Sequence, residues 1–306
     1  MIELSIVTST YNSEDSIREF LKRVREAVSA LELWLSRSVT FEIVVIDDGS
    51  TDNTCRILEK EVNDRRELKV MVLSRNYGQH QAMLSGMREA VGEVIFMLDS
   101  DLEDDPAWLL CFWKKLRGEN VKSVYGEYVR TDGPYWRRKG GDFFWRIYNR
   151  LSSLDLPINQ TMARLMERDF LDAAIASRQM SGLLAQIFLT AGKSQPVIVE
   201  RDYKGSSSYS FSQKFSMATR QLLISSDEIW WRLTIVCFSA GAIGSLVAAC
   251  AAILGINFSV IAVGITMGAL FLPISAVTAS AFMLRGILTI ATDSQPVVVQ
   301  RRIGTE

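Results

Sequence analysis

In the first hundred residues the apolar positions fall into short β-branched runs separated by stretches of helical period. Residues 4–9 (Leu-Ser-Ile-Val-Thr-Ser), 41–47 (Phe-Glu-Ile-Val-Val-Ile-Asp), 68–73 (Leu-Lys-Val-Met-Val-Leu) and 94–98 (Val-Ile-Phe-Met-Leu) read as strands. Between them, residues 14–35, 51–62 and 79–91 read as amphipathic helices. Strictly alternating strand and helix predicts an α/β fold with a parallel, doubly wound sheet. Such sheets bind ligands outside the carboxyl ends of their strands, at the point where the strand order reverses. The residues expected along that rim are Ser9 to Asn12, Asp47 to Ser50, Ser74 to Tyr77, and Asp99, Ser100 and Asp101.

The pattern changes after Arg232. No Asp, Glu, Lys or Arg occurs again before Arg285, a run of 52 residues interrupted only by Gly255, Ile256 and Asn257. A bilayer span takes roughly 20 apolar residues, so the run predicts two transmembrane helices, at about 233–254 and 258–284, joined by a tight turn. A hairpin buried in a soluble core is the alternative, but a globular core seldom needs two such spans with no polar face. Trp230, Trp231 and Arg232 precede the first span, while Arg285, Arg301 and Arg302 follow the second. Both ends are therefore expected to face the cytoplasm. Gly241, Gly244, Gly264 and Gly268 give small-residue patterns suited to packing the hairpin on itself or against another subunit of a homo-oligomer. Met1, Ile2, Glu3 and Leu4 enter directly into a strand, without the basic start of a signal peptide.

This partition explains an otherwise ordinary composition. A net charge of −1 over 306 residues averages a charged domain with a charge-free one. The slightly acidic balance argues against nucleic acid as a partner. Tyr135 to Lys139 and Phe143 to Arg150 interleave bases with aromatics, as suits a helix at lipid-headgroup depth. Cys55, Cys111, Cys237 and Cys250 lack metal-type spacing and fit a reducing compartment. The lone His80 reads as a helix-start cap or a satisfied surface histidine, since one histidine makes no zinc site.

The chemistry centres on Asp99 and Asp101, carboxylates at i and i+2 where an apolar strand stops. Hard oxygen ligands in that arrangement suit Mg²⁺ or Mn²⁺, ions that commonly hold substrate phosphates as well. A lone Asp-x-Asp is a weak signal, and a solvated acidic loop would give the same pattern.

Four motifs together are more specific. Ser9 to Asn12, Val45 to Thr54 (Val-Ile-Asp-Asp-Gly-Ser-Thr-Asp-Asn-Thr), Ser74 to His80 (Ser-Arg-Asn-Tyr-Gly-Gln-His) and Leu98 to Pro106 (Leu-Asp-Ser-Asp-Leu-Glu-Asp-Asp-Pro) stand in order and at suitable spacing. The chain thereby resembles the family 2 glycosyltransferases with the GT-A fold. Within them it is most similar to the polyprenyl-phosphate group: dolichol-phosphate mannose synthase, the bacterial GtrB-type glucosyltransferases and the undecaprenyl-phosphate aminoarabinose-type transferases. The resemblance continues weakly through Tyr125 and Gly126, residues 137–151 and 201–211, and into the hairpin.

The resemblance implies a cytosolic Rossmann-like GT-A domain over 1–211, a juxtamembrane amphipathic helix over 212–231, two transmembrane helices within 232–285 and a cytosolic tail over 286–306. It implies a multi-pass protein of the bacterial inner membrane. Nucleotide-sugar contacts would come from Ser9, Tyr11, Asp48, Asp99, Ser100 and Asp101, with Tyr11 stacking on the base and Asp48 accepting from a base N–H or a ribose hydroxyl. Asp48 could equally cap the following helix, and Asp47 reads as the more structural of the two. Asp99 and Asp101 would hold the metal, with Glu103, where relatives often carry Gln, as a further ligand. Arg138 and Arg201 match family arginines that would orient the acceptor phosphate, followed by Arg130 and Arg164.

The implied activity is inverting transfer of a sugar from a nucleotide donor to a polyprenyl phosphate. Two departures bear on it. Residues 156–164 lack the Gly-Asp pair that relatives carry before the arginine matching Arg164, which leaves the donor sugar open, and residues 206–210 carry one extra residue after Arg201. A lipid-linked glycan acceptor would require a general base, and Asn159 and Gln160 stand where an acid would be expected. A non-catalytic membrane scaffold of the same fold is the reading from another class. A processive synthase would need a Gln-x-x-Arg-Trp motif, which the sequence lacks, and more spans.

Overall fold

The computed structural model describes residues 1–128, 146, 149–150, 159–176, 184–200, 227–255, 258–292 and 297–304. They divide into two compact units. The first combines Met1–Arg138, Leu156–Ser206 and Pro296–Glu306, and the second combines Lys139–Asp155 and Ser207–Gln295.

The first unit opens with β1 (Leu4–Thr10), α1 (Ile17–Leu35), β2 (Phe41–Asp47), α2 (Thr54–Asn63), β3 (Leu68–Leu73), α3 (Gln79–Glu89) and β4 (Val94–Met97). Each element matches the sequence reading to within a few residues. It continues with α4 (Trp108–Gly118), β5 (Ser123–Tyr128), β6 (Gln160–Glu167), α5 (Arg168–Ala176), α6 (Leu184–Ala191) and β7 (Gln195–Val199). The sheet runs β7-β5-β6-β4-β1-β2-β3-β8, where β8 is Val299–Ile303. Strands β1 to β4 are mutually parallel, and β6 lies antiparallel between β4 and β5.

Alternate residues of each strand feed opposite faces. Leu4, Ile6, Ile43, Val45, Leu68 and Val70 pack on one side with Phe20, Leu21 and Val24 of α1 and Phe112 and Trp113 of α4. Val7, Val44, Ile46 and Met71 pack on the other with Met83 and Met87 of α3, Phe170 of α5 and Phe188 of α6. Burial on both faces is why β1 and β2 read as continuous apolar runs rather than as an alternation.

A buried acid ties the far end of these strands together. Glu42 is 2% exposed, accepts from Ser5 Oγ at 2.5 Å and from the Val91 N–H at 2.7 Å, and meets Lys69 Nζ at 2.7 Å. Burial pushes its carboxyl up, but the Lys69, Ser5 and Val91 donors outweigh burial and hold it below the usual carboxylate range. A folded-state pKa below the unfolded one gives stability that is present above the unfolded value and lost as pH falls through the folded one. Glu42→Gln is therefore expected to cost about 2 kcal/mol at neutral pH and progressively less as pH falls below the usual carboxylate range. Thermal unfolding of both proteins across pH 3–7 checks this; parallel curves would show that the Glu42 charge contributes nothing.

The second unit contains α7 (Asp227–Ile253) and α8 (Phe258–Thr292). Both are long and apolar enough to cross a membrane, over Thr234–Ile253 and Ile261–Ala281. Their large side chains face away from the helix pair, with Phe238 59%, Leu246 65% and Val277 67% exposed. Among its described residues, those that are buried are all small: Gly241, Gly244, Ala248, Ala251, Gly264, Gly268 and Ser275. A Cβ on Gly264 would stand 2.6 Å from the Gly244 carbonyl oxygen, and one on Gly244 would stand 2.5 Å from Met267 Cβ. Three of the four glycines singled out in the sequence therefore pack the hairpin on itself. The hydroxyls of Thr234 and Thr278 are hydrogen-bonded across the seam at 2.9 Å.

The end of the chain departs from expectation. Helix α8 runs on to Thr292, past the span expected to close at 284. The segment read as a tail over 286–306 then supplies β8, which pairs antiparallel with β3. Arg301 and Arg302, read as membrane flanks, are paired on this strand with Glu59 and, at 2.7 Å, with Glu89.

Candidate active site

The carboxyl ends of β1 to β4 converge on one rim, as the strand order requires. Thr10 lies opposite Asp47, and Asp47 opposite Val72, in the parallel registers. The Asp48 N–H donates to the Thr10 carbonyl at 2.9 Å, and the Asn12 N–H to Ser50 Oγ at 2.9 Å. Asn12 itself has φ +49°, a left-handed conformation that asparagine tolerates and that turns the chain out of β1. Beside it Tyr11 is 45% exposed, available as a platform for a base. Gly49, at φ +73°, leaves no room for a side chain: a Cβ would stand 2.6 Å from the Arg75 carbonyl carbon.

Asp47 and Asp48 divide their work. Asp47 is fully buried, its Oδ1 accepts the Ser50 N–H at 3.1 Å, and burial raises its pKa. Asp48 accepts the Tyr77 N–H at 2.7 Å on one oxygen and the Gly78 N–H at 2.9 Å on the other. Burial raises its pKa, and those donors together with the Arg75 charge pull it partly back. It caps no helix. Helix α2 begins later than expected, at Thr54, whose N–H donates to Asp52 Oδ1 at 2.9 Å.

At the end of β4, Asp99 is half-buried and Asp101 exposed. Ser100 is buried between them, and its hydroxyl donates to the Ser9 carbonyl at 2.9 Å, so it fastens β1 to the acidic loop; Ser9 is itself only 7% exposed. The Glu103 N–H donates to Asp101 Oδ1 at 2.8 Å, around Leu102 at φ +64°. A branched residue held there costs of order 1 kcal/mol, a strain typical of functional loops. Among the described residues no three His, Cys, Asp or Glu side chains stand grouped as a metal cage.

Gln79 is the residue that sequence reading passed over. It opens α3, and its side-chain amide donates to Asp99 Oδ1 at 2.5 Å, directing that carboxylate across the rim. Its place as first helical residue after a rim loop was the available signal. His80 next to it is not the expected cap: Gly78 is the N-cap residue, and His80 Nδ1 is buried without a hydrogen-bond partner. Burial lowers its pKa by disfavouring the charged ring.

Arg164 is withdrawn from any acceptor. On β6 it is 3% exposed, its guanidinium donates to Ser123 Oγ at 3.1 Å and Ser194 Oγ at 2.7 Å, and it lies 4.4 Å from the Phe188 ring centroid. Burial draws its pKa down to about 9. Arg130, Arg138 and Arg201 lie outside the described residues.

A cavity of about 520 Å³ opens beside the rim between Asp47, Ser50, Cys55 and Ser74 and the β8 residues Gln300 and Arg301. A larger groove of about 690 Å³ between α1 and α2 is lined by mutually paired charges such as Arg18 and Glu61, away from the strand ends. The rim is therefore the candidate site.

The model of the family described as glycosyl transferase family 2 matches residues 5–174, which hold all four rim clusters. The chain belongs to that family. A Mycobacterium tuberculosis protein whose name places it among the glycosyltransferases is 32% identical over 70% of this chain, and this chain covers 61% of its length. The undecaprenyl-phosphate 4-deoxy-4-formamido-L-arabinose transferase of Pseudomonas syringae is 30% identical over 93% of this chain and 84% of its own. Its counterpart in Pseudomonas fluorescens is 29% identical over 93% and 83%. Among solved structures, glucosyl-3-phosphoglycerate synthase from Mycobacterium tuberculosis, in complex with Mn²⁺, UDP and phosphoglyceric acid, superposes with a TM-score of 0.50 at 16% identity, over 73% of this chain and 77% of that one. That likeness shows the fold, a GT-A sheet.

Proposed function

We propose that this family 2 chain transfers a sugar, with inversion, from a nucleotide sugar to a polyprenyl phosphate such as undecaprenyl phosphate. The observation that carries this reading is the rim. Asp99 and Asp101 end β4 beside Asp48 and Tyr11, in a chain that also bears an apolar hairpin. Alignment with the undecaprenyl-phosphate transferases over 93% of the chain supports the lipid acceptor.

The donor set of Asp99 and Asp101 is hard oxygen at the mouth of a buried strand and fits Mg²⁺ or Mn²⁺. When bound there, the ion supplies charge neutralisation for a departing nucleoside diphosphate. The chain's own residues do the positioning. Gln79 orients Asp99, Asp48 offers remaining lone pairs to a base or ribose donor, and Tyr11 offers a ring face. The second pKa of a lipid monophosphate is near 6, as for other phosphate monoesters, so at cytosolic pH its oxygen is already a nucleophile. That oxygen attacks the anomeric carbon as the bond to the nucleoside diphosphate breaks, and no general base is required. Arg138 and Arg201 are the cations proposed to orient the acceptor.

Connectivity supports a membrane topology. β7 precedes the hairpin and β8 follows it, and both belong to one sheet, which supports a hairpin that crosses the membrane twice with both ends on one side. We place the catalytic unit on the cytosolic face of the bacterial inner membrane, where nucleotide sugars are made.

Full-length protein in vesicles containing undecaprenyl phosphate, supplied in turn with nucleotide sugars and either Mn²⁺ or a chelator, tests the reading. Metal-dependent transfer to the lipid phosphate is the expected result. Transfer confined to a lipid-linked glycan would favour the second acceptor class, and absence of metal-dependent nucleotide binding would favour a scaffold.

A further inference from the structure

The chain that follows the hairpin returns to the sheet beside the donor rim. β8 pairs with β3 in a register that shifts between Val72 and Leu73, and this brings Val298 alongside the loop leaving β3. There the Ser74 N–H donates to the Val298 carbonyl at 3.0 Å, and the Val298 N–H donates to the Tyr77 hydroxyl at 3.2 Å. The same hydroxyl is hydrogen-bonded to Ser74 Oγ at 3.1 Å, and the Arg75 guanidinium lies 4.2 Å above the Tyr77 ring.

That loop has a second set of contacts. The amides of Tyr77 and Gly78 hold the two oxygens of Asp48, and Gln79 holds Asp99. Residues 74–79 therefore touch β8 on one side and both donor-side carboxylates on the other. Without β8, β3 would become a sheet edge with open N–H and C=O groups, and the Ser74 amide and Tyr77 hydroxyl would lose their partners on Val298. The loop would then have to be ordered when nucleotide binds, at a cost in conformational entropy that its present bracing avoids.

We propose that residues 297–303 brace the donor site through Tyr77, a positioning residue, so that nucleotide affinity depends on chain lying beyond the hairpin. This inference rests on the reading of Asp48 and Asp99 as donor ligands. An edge strand that served stability alone would predict something different: any weakening of β8 would act alike, wherever it was made.

The experiment compares full-length protein in nanodiscs with three variants: Tyr77→Phe, deletion of 297–306, and Arg302→Ala, which cuts the Glu89 ion pair without touching the loop. Two quantities are measured, amide hydrogen exchange over 74–80 and calorimetric affinity for UDP with Mn²⁺. Tyr77→Phe keeps the ring and both amides, and is expected to speed exchange and weaken UDP about fivefold, the worth of the one hydrogen bond to Val298 that ties the loop to the returning chain; the Ser74 bond lost with it lies within the loop. The deletion is expected to do the same by about tenfold or more, since it removes several such bonds. Arg302→Ala should change neither. Unchanged exchange and affinity in Tyr77→Phe would overturn the proposal even if the deletion failed to fold. Faster exchange with full UDP affinity would overturn it too, because the loop would then be held without serving the site. If the unaltered protein takes up neither UDP nor, titrated in turn, the other nucleoside diphosphates with Mn²⁺, the donor-site reading fails on its own account, and the exchange data still decide whether β8 holds the loop.

Discussion

Asp101→Asn is expected to reduce sugar transfer on the order of a hundredfold at limiting Mn²⁺ or Mg²⁺, equivalent to about 3 kcal/mol, while leaving the fold intact. The side chain is exposed, and the Glu103 N–H it accepts at 2.8 Å can also be accepted by an asparagine carbonyl, so packing has little to lose. What the change removes is a negative charge from a two-acid site. A partial recovery at high metal concentration belongs to the same expectation, since weakened ligation is opposed by mass action. Initial rates titrated with Mn²⁺ provide the measurement, with thermal unfolding as the check on the fold. Near-normal turnover at limiting metal would remove Asp101 from the metal site.

The strand ends were legible in the sequence because both faces of a doubly wound sheet are buried. No apolar–polar alternation is needed there: Ile43, Val44, Val45 and Ile46 all find cores, and the run stops where the rim begins. Rim polarity was legible for the same reason, since Asp47, Asp48, Asp99 and Asp101 interrupt apolar runs abruptly. How those groups are partnered was not. That Ser100 spends its hydroxyl on the Ser9 carbonyl, or that Gln79 reaches Asp99 from twenty residues away, depends on long-range placement that no local pattern encodes.

Two misreadings share a cause. Arg164 reads as a phosphate ligand and is a buried core arginine; Arg301 and Arg302 read as membrane flanks and are strand residues paired with acids. A charged side chain in a sequence carries no sign of which partner will meet it. For β8 a signal did exist. Val297, Val298 and Val299 follow Pro296 and precede Gly304, a β-branched run with strand-type boundaries. The charge-free stretch just before it directs attention to the arginines instead.

The position of β8 also decides how the hairpin must be tested. Truncation before Arg232 would remove β8 together with the hairpin, confounding loss of the membrane anchor with loss of an edge strand. Replacing 227–292 by a flexible Gly/Ser linker keeps 297–304 available to β3. That variant is expected to retain UDP affinity within a few-fold and to lose transfer to undecaprenyl phosphate in vesicles by roughly 10²-fold or more, because only the effective concentration at the bilayer has been removed. Transfer to a short-chain, water-soluble lipid phosphate should stay near the wild-type rate, since Asp99, Asp101 and Asp48 are untouched. Rates on the two acceptors, measured side by side, separate anchoring from chemistry. Full activity of the linker variant on the long-chain lipid in bilayers would mean that the outward-facing apolar side chains of α7 and α8 serve some purpose other than holding the enzyme where its acceptor lies.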